Sequence, residues 1–358
     1  MQRLYFVQWL RVFLIALVIA HHAAQPYGPT GGSWPVSDPV TGAAWLGPFF
    51  GVNAAFFMGF FFLIAGYFTP GSYDRKGGAV FVRDRLIRLG IPLAVVMLVV
   101  FPALIWLWTH PAASFISFYF GEYIGRWQIE MGHLWFVAHL LVYSLIYALW
   151  RSLRLGRTGK SLPPPNDATV ALYVVALAVV DALVRIPYPQ DRWVDVAWLV
   201  PAEPAHLPQY ASMFAIGLIA GRGRWFETIR SGLGVRWFAV GVVAFLMMSI
   251  LPALLPAVPF QNIWGFVEAF VCVGMILGLT VLFRRLCAHG GRVLSALEGN
   301  VYGVYIVHWF IVVAIQAAIL ALAATATEKF LIVTVLATIA SFALTTALRA
   351  IPGVSRVV

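Results

Sequence analysis

The chain has 358 residues, 61% of them hydrophobic and only 11% charged, with a mean hydropathy of +0.87 and a net charge of +10. An ordinary soluble domain carries roughly 25% charged residues, so this composition excludes a water-solvated globule and points to lipid as the solvent. The positive excess is spread over short loops between apolar runs, which argues against a nucleic-acid partner and for membrane topology.

The first apolar run, residues 4 to 24, has a basic start like a signal peptide. Arg11 interrupts it, and Ala20-His21-His22 makes a poor cleavage site, so it reads as an uncleaved first helix. From Arg11 to His22 is about three helical turns plus roughly 20°, which puts both on one face about 16 Å apart along the axis. His21 falls about 100° from that stripe. Ionisable groups within an apolar span are costly and mark function. A permanently charged guanidinium and a titratable imidazole on one stripe suit chemistry across a bilayer.

Further apolar runs lie near 49 to 69, 89 to 109, 133 to 150, 168 to 186, 206 to 221, 237 to 257, 263 to 283, 296 to 320 and 328 to 348. At about 20 residues each they make about ten spans and fill residues 1 to 358 with one integral-membrane domain. The predicted fold is all-α, a polytopic transmembrane helix bundle. Alternate loops carry Arg75, Lys76, Arg83, Arg85 and Arg88; Arg151, Arg154, Arg157 and Lys160; Arg222, Arg224, Arg230 and Arg236; and Arg284, Arg285 and Arg292. By the positive-inside rule these loops are cytoplasmic, and so are both termini. The intervening loops hold Asp38, Glu122, Glu130, Asp191, Asp195, Glu203 and Glu328 and face outward. Trp45, Trp108, Trp193 and Trp198 fall near the outer edges, where indoles favour the interface. The two cysteines, Cys272 and Cys287, indicate no disulfide framework.

Where the third span begins, Arg85 and Arg88 are three apart and hence neighbours on a helix surface. Two guanidinium forks near a helix N-terminus suit a phosphorylated cytoplasmic ligand, and simple topogenic charge accounts for the same residues. His133-Leu134-Trp135-Phe136 opens the fourth span after Glu122 and Glu130, carboxylates that can orient an imidazole. Trp135 fits an aromatic belt better than a site. Glu268 in the eighth span and Asn53 in the second are further buried polar candidates. The ninth span sets Tyr302, Tyr305 and His308 at intervals of three along one flank, as site residues or as polar glue between helices. There is no Gly-rich nucleotide loop, no paired-histidine zinc spacing and no Gly-x-Ser-x-Gly elbow, so neither a metal site nor a covalent serine mechanism is indicated.

Arg11-x10-His22, Arg85-x-x-Arg88, Phe62-Leu63-Ile64-Ala65-Gly66-Tyr67, His133-Leu134-Trp135-Phe136 and Tyr302-Gly303-Val304-Tyr305-Ile306-Val307-His308 together resemble the acyltransferase 3 family of polytopic membrane O-acyltransferases. The resemblance spans nearly the whole chain and looks closest to the branch that includes glucan biosynthesis protein C, which places succinyl groups on periplasmic glucans. It implies an acyl-CoA donor reached from the cytoplasm and a hydroxyl of an extracytoplasmic glycan or glycolipid as acceptor. It also implies a place in the cell (inner) membrane, an acetyl or succinyl group in transit, and no permanently bound cofactor. His22 becomes the essential catalytic residue, and Arg11, Arg85 and Arg88 serve the donor. Glu268, Tyr305 and His308 are the candidate orienting partners of His22, and His133, Trp135, Tyr302 and Tyr305 are candidate substrate contacts. Ala65 and Val301 depart from the family's usual serines at those places. A homo-oligomer is compatible with the sequence. The rival class is a transporter or flippase of a polar or lipid-linked sugar, which uses intramembrane charge without acyl chemistry but favours broken helices in two related halves. No such repeat is visible.

Overall fold

The computed structural model describes residues 4–29, 34–109, 112–153, 161–196 and 200–357. Arg154, Arg157, Lys160 and Trp198 lie outside the described residues. The architecture is helical, with one two-stranded ribbon, β1 (Val194–Val196) and β2 (Val200–Ala202). In chain order the main helices are α1 (Tyr5–Ala24), α2 (Leu46–Lys76), α3 (Gly78–Thr109), α4 (Trp135–Ser152) and α5 (Asp167–Val184). They continue with α6 (Leu207–Gly223), α7 (Ser231–Met247), α8 (Phe260–Leu286), α9 (Val301–Ala318) and α10 (Ala326–Ala350).

Among the described residues, eight helices are long and apolar enough to cross a membrane, all of these except α6 and α7. Those two have 17 residues each. At 1.5 Å per residue they extend only about 26 Å, short of a hydrocarbon core about 30 Å thick. The protein is an all-α, multi-pass membrane bundle. Large apolar side chains such as Val99, Trp108, Leu172, Leu246 and Ile339 point outward, as lipid-facing surfaces require.

Two compact units are distinguished, the first comprising Met1–Gly71, Thr158–Val194 and Glu203–Leu348, the second Ser72–Arg157, Asp195–Ala202 and Arg349–Val358. In the first unit α8 is central: it packs on α7, α5 and α1, and α1 also packs on α9. Here α2 and α6 cross so closely that a Cβ on Gly66 would strike the Phe214 carbonyl, and one on Gly217 the Leu63 carbonyl. Small residues let backbones approach in this way where lipid gives no hydrophobic drive for association. Gly66 of the Phe62–Tyr67 motif is therefore a crossing residue.

In the second unit α3 packs on α4. Proline lacks an N–H, and its ring collides with the carbonyl four residues back. Pro92 and Pro102 thereby face the carbonyls of Arg88 and Leu98, and α3 relieves each collision with a π turn, Leu86–Gly90 and Val96–Val100.

Candidate active site

His22 stands in the last turn of α1, and Nδ1 lies 2.9 Å from Nε2 of His308 on α9. The two rings are parallel within 4°, with centroids 5.1 Å apart. The next contacts assign the protons. Nδ1 of His308 faces the carbonyl oxygens of Tyr305 at 2.7 Å and Val304 at 3.2 Å. Carbonyls only accept, so this nitrogen carries a hydrogen, and neutral His308 has its lone pair on Nε2. His22 must then donate from Nδ1, which makes Nε2 its basic nitrogen. His308, fully buried, locks both the orientation and the tautomer of His22. The negative end of the α1 dipole also favours the imidazolium that proton abstraction creates.

His21 turns the other way, toward the rings of Phe50 and Phe57 on α2, at 5.0 and 5.1 Å. The predicted 100° separation is thus visible as two different neighbourhoods. Tyr305 is buried with its ring 5.6 Å from that of His308, and Tyr302 is half-buried one turn earlier. Arg11 forms a 2.6 Å ion pair with Glu298, from the short helix Arg292–Glu298 that precedes α9. One helix, α9, together with its approach, therefore supplies the neighbours of both ends of the Arg11–His22 stripe.

Glu268 is placed differently from the expectation that it orients His22. Its oxygens are engaged by Arg185, through a short ion pair, and by Nε2 of His206 at 3.1 Å. Nδ1 of His206 meets Glu203 at 2.7 Å. An imidazole with a carboxylate at each nitrogen is a cation, since both nitrogens must donate. Arg185, Glu268 and His206 are all buried, and so is Asp181. Among the described residues, the Asp181 oxygens and Arg185 Nε and Nη1 have no hydrogen-bond partner. In the Glu203 carboxyl, burial is the largest influence and works upward, but the His206 charge together with the hydrogen bonds from His206 and the Asp191 N–H holds the group below its ordinary range. Glu268 stands out in the sequence as an acid within an apolar span, whereas His206 and Arg185 lie at span edges. The available signal was spacing: Asp181 and Arg185 are four apart on an apolar helix, and Glu203 and His206 three apart.

The second unit holds the other candidates. Arg85 stands at the first π turn of α3 with its guanidinium 5.0 Å from the Phe81 ring centroid, and Arg88 lies within that turn, exposed. His133 is buried in the 3-10 turn Gly132–Leu134, and Trp135 packs edge-on against His139 at 5.7 Å. His139 in turn donates from Nε2 to the Pro201 carbonyl at 3.1 Å. Burial first, and then the charge of Asp195, hold the Glu130 carboxyl above its ordinary range.

The all-α membrane bundle thus holds a hydrogen-bonded imidazole pair, one ring of which is oriented by helix carbonyls. A family model described as an acyltransferase domain matches residues 4–350, and the chain belongs to the acyltransferase 3 family. The protein is accordingly a multi-pass membrane acyltransferase. No match was found among curated proteins or among solved structures.

Proposed function

We propose that this protein moves an acetyl or succinyl group from cytoplasmic acyl-CoA to a hydroxyl of an extracytoplasmic glycan or glycolipid, within the cell (inner) membrane. The observation that carries this reading is the His22–His308 hydrogen bond, anchored on the carbonyls of Val304 and Tyr305. Nε2 of His22 accepts the proton of the attacking hydroxyl as its oxygen bonds to the thioester carbon. The carbon–sulfur bond then breaks, and the imidazolium returns the proton to the leaving thiolate, so ester and free thiol are the products. His308 touches His22 and positions it. The resemblance assigns Arg11, Arg85 and Arg88 to the donor, for which guanidinium forks suit the CoA phosphates.

The test is mass spectrometry of envelope glycans and glycolipids from cells with the protein, without it, and with His22→Ala at equal abundance. An ester mass present only with the wild-type protein supports the proposal and names the acyl group. An unchanged ester profile across all three overturns it.

A further inference from the structure

Trp34 follows α1 in the loop leading to α2 and lies directly on the proposed base. Its ring centroid is 5.3 Å from that of His22 at an interplanar angle of 34°. Trp309, the residue after His308 on α9, meets Trp34 nearly edge-on at 5.9 Å. Both indoles are half-buried. Nε1 of Trp34 donates to Oε1 of Gln316 at 2.8 Å. Gln316 is fully buried, and its Nε2 donates to the backbone carbonyls of His22 at 3.0 Å and Ala23 at 3.2 Å. A single amide thus ties the indole to the backbone that carries the base.

The same loop is pinned again further along. Lys329 of α10 pairs with Asp38 at 2.8 Å, both side chains buried, and also donates to the Leu320 carbonyl at 3.0 Å. Trp45 bonds to Thr327 at 3.0 Å and packs on Phe330. The segment is therefore a fixed wall beside His22. Trp45, which is largely exposed, has the character of an interfacial indole, whereas Trp34 turns its only polar atom inward to a buried amide. What Trp34 offers its surroundings is ring.

We infer that Trp34 and Trp309 form an acceptor subsite that takes a pyranose ring. The apolar C–H face of a sugar suits an aromatic surface, while its equatorial hydroxyls lie near the ring plane, where one can reach the neighbouring imidazole. A rigid indole pair beside a general base holds such a hydroxyl in attacking geometry at low entropic cost. This deepens the proposed function and rests on His22 being the base of that reaction.

The experiment uses the full chain in detergent micelles with a short soluble glucose oligosaccharide as probe. Binding is read by saturation-transfer NMR without donor, and turnover by ester formation with acyl-CoA. Trp34→Ala should weaken binding and raise the acceptor KM about tenfold or more. The KM for the donor should stay unchanged. Trp34→Phe keeps a ring but loses the bond to Gln316, and it should retain most of the acceptor affinity. Equal binding by wild type and Trp34→Ala, or no binding by wild type, overturns the subsite. Wild-type binding without any turnover instead overturns the acyl-transfer reading and leaves the subsite standing on its own binding result.

Discussion

At the scale of single residues, the hydrogen-bond chain from the α9 carbonyls through His308 to His22 makes graded predictions. His22→Ala removes the base and should lower acyl transfer by about 10³-fold or more in a purified CoA-release assay. His308→Ala should cost less, about 10²-fold, and His308→Gln should recover part of that because an amide oxygen can still accept from Nδ1 of His22. His21→Ala should change the rate only a few-fold, since its ring contacts Phe50 and Phe57. If His21→Ala and His22→Ala lost equal activity, the assignment of the base would fail. Arg85→Lys and Arg88→Lys should raise the KM for acyl-CoA while leaving that for acyl-pantetheine, which lacks the nucleotide phosphates, unchanged. The Arg11–His22 stripe was legible because α-helical spacing alone specifies a shared face. The partner of the imidazole was not, because residues brought together by tertiary packing carry no local signature. Gln316 was equally silent, although an isolated amide in the apolar second half of α9 was a hint.

At the scale of elements, the ionic cluster between α5, the approach to α6, and α8 shows how a pair can be indispensable without being a net gain. Arg185→Met would leave Glu268 buried beside a single cation, and it should cost about 3–5 kcal/mol in detergent unfolding. Asp181→Asn replaces a buried carboxyl, whose oxygens have no hydrogen-bond partner among the described residues, by a neutral amide of the same shape, so stability should be unchanged or higher. A large loss in Asp181→Asn would contradict this account. The Glu203 carboxyl titrates below its ordinary value, so its pairing with His206 stabilises fully above the ordinary carboxylate range and fades as pH falls through the lowered value. The α2–α6 crossing makes a separate demand. Gly66→Ala must push two backbones apart and should destabilise by about 1–3 kcal/mol, measurable as a lower thermal midpoint. Helix positions were readable from apolar run length. The π turns of α3 were not, because Pro92 and Pro102 announce a disturbance without saying whether the helix will kink or absorb an extra residue.

At the scale of the whole molecule, the expected ten spans become eight full-length helices and two shorter ones, which makes α6 the sharpest test of topology. With Cys272 and Cys287 replaced, Asp191→Cys should react with an impermeant reagent only from outside and Arg230→Cys only from the cytoplasm. Reaction of both from one side would show that α6 does not cross. Composition gave the membrane class because charge is scarce throughout. It did not reveal the division into two compact units, which depends on contacts distant in sequence. Those contacts also set a timetable. His22 waits 286 residues for His308, Arg11 waits 287 for Glu298, and Asp38 waits 291 for Lys329. Ribosomes add roughly 5–20 residues per second, so α1 spends roughly 15–60 s in the membrane before its polar groups meet their partners. α1 is thus completed by segments made much later, and until then Arg11 and His22 face whatever machinery guards nascent membrane proteins.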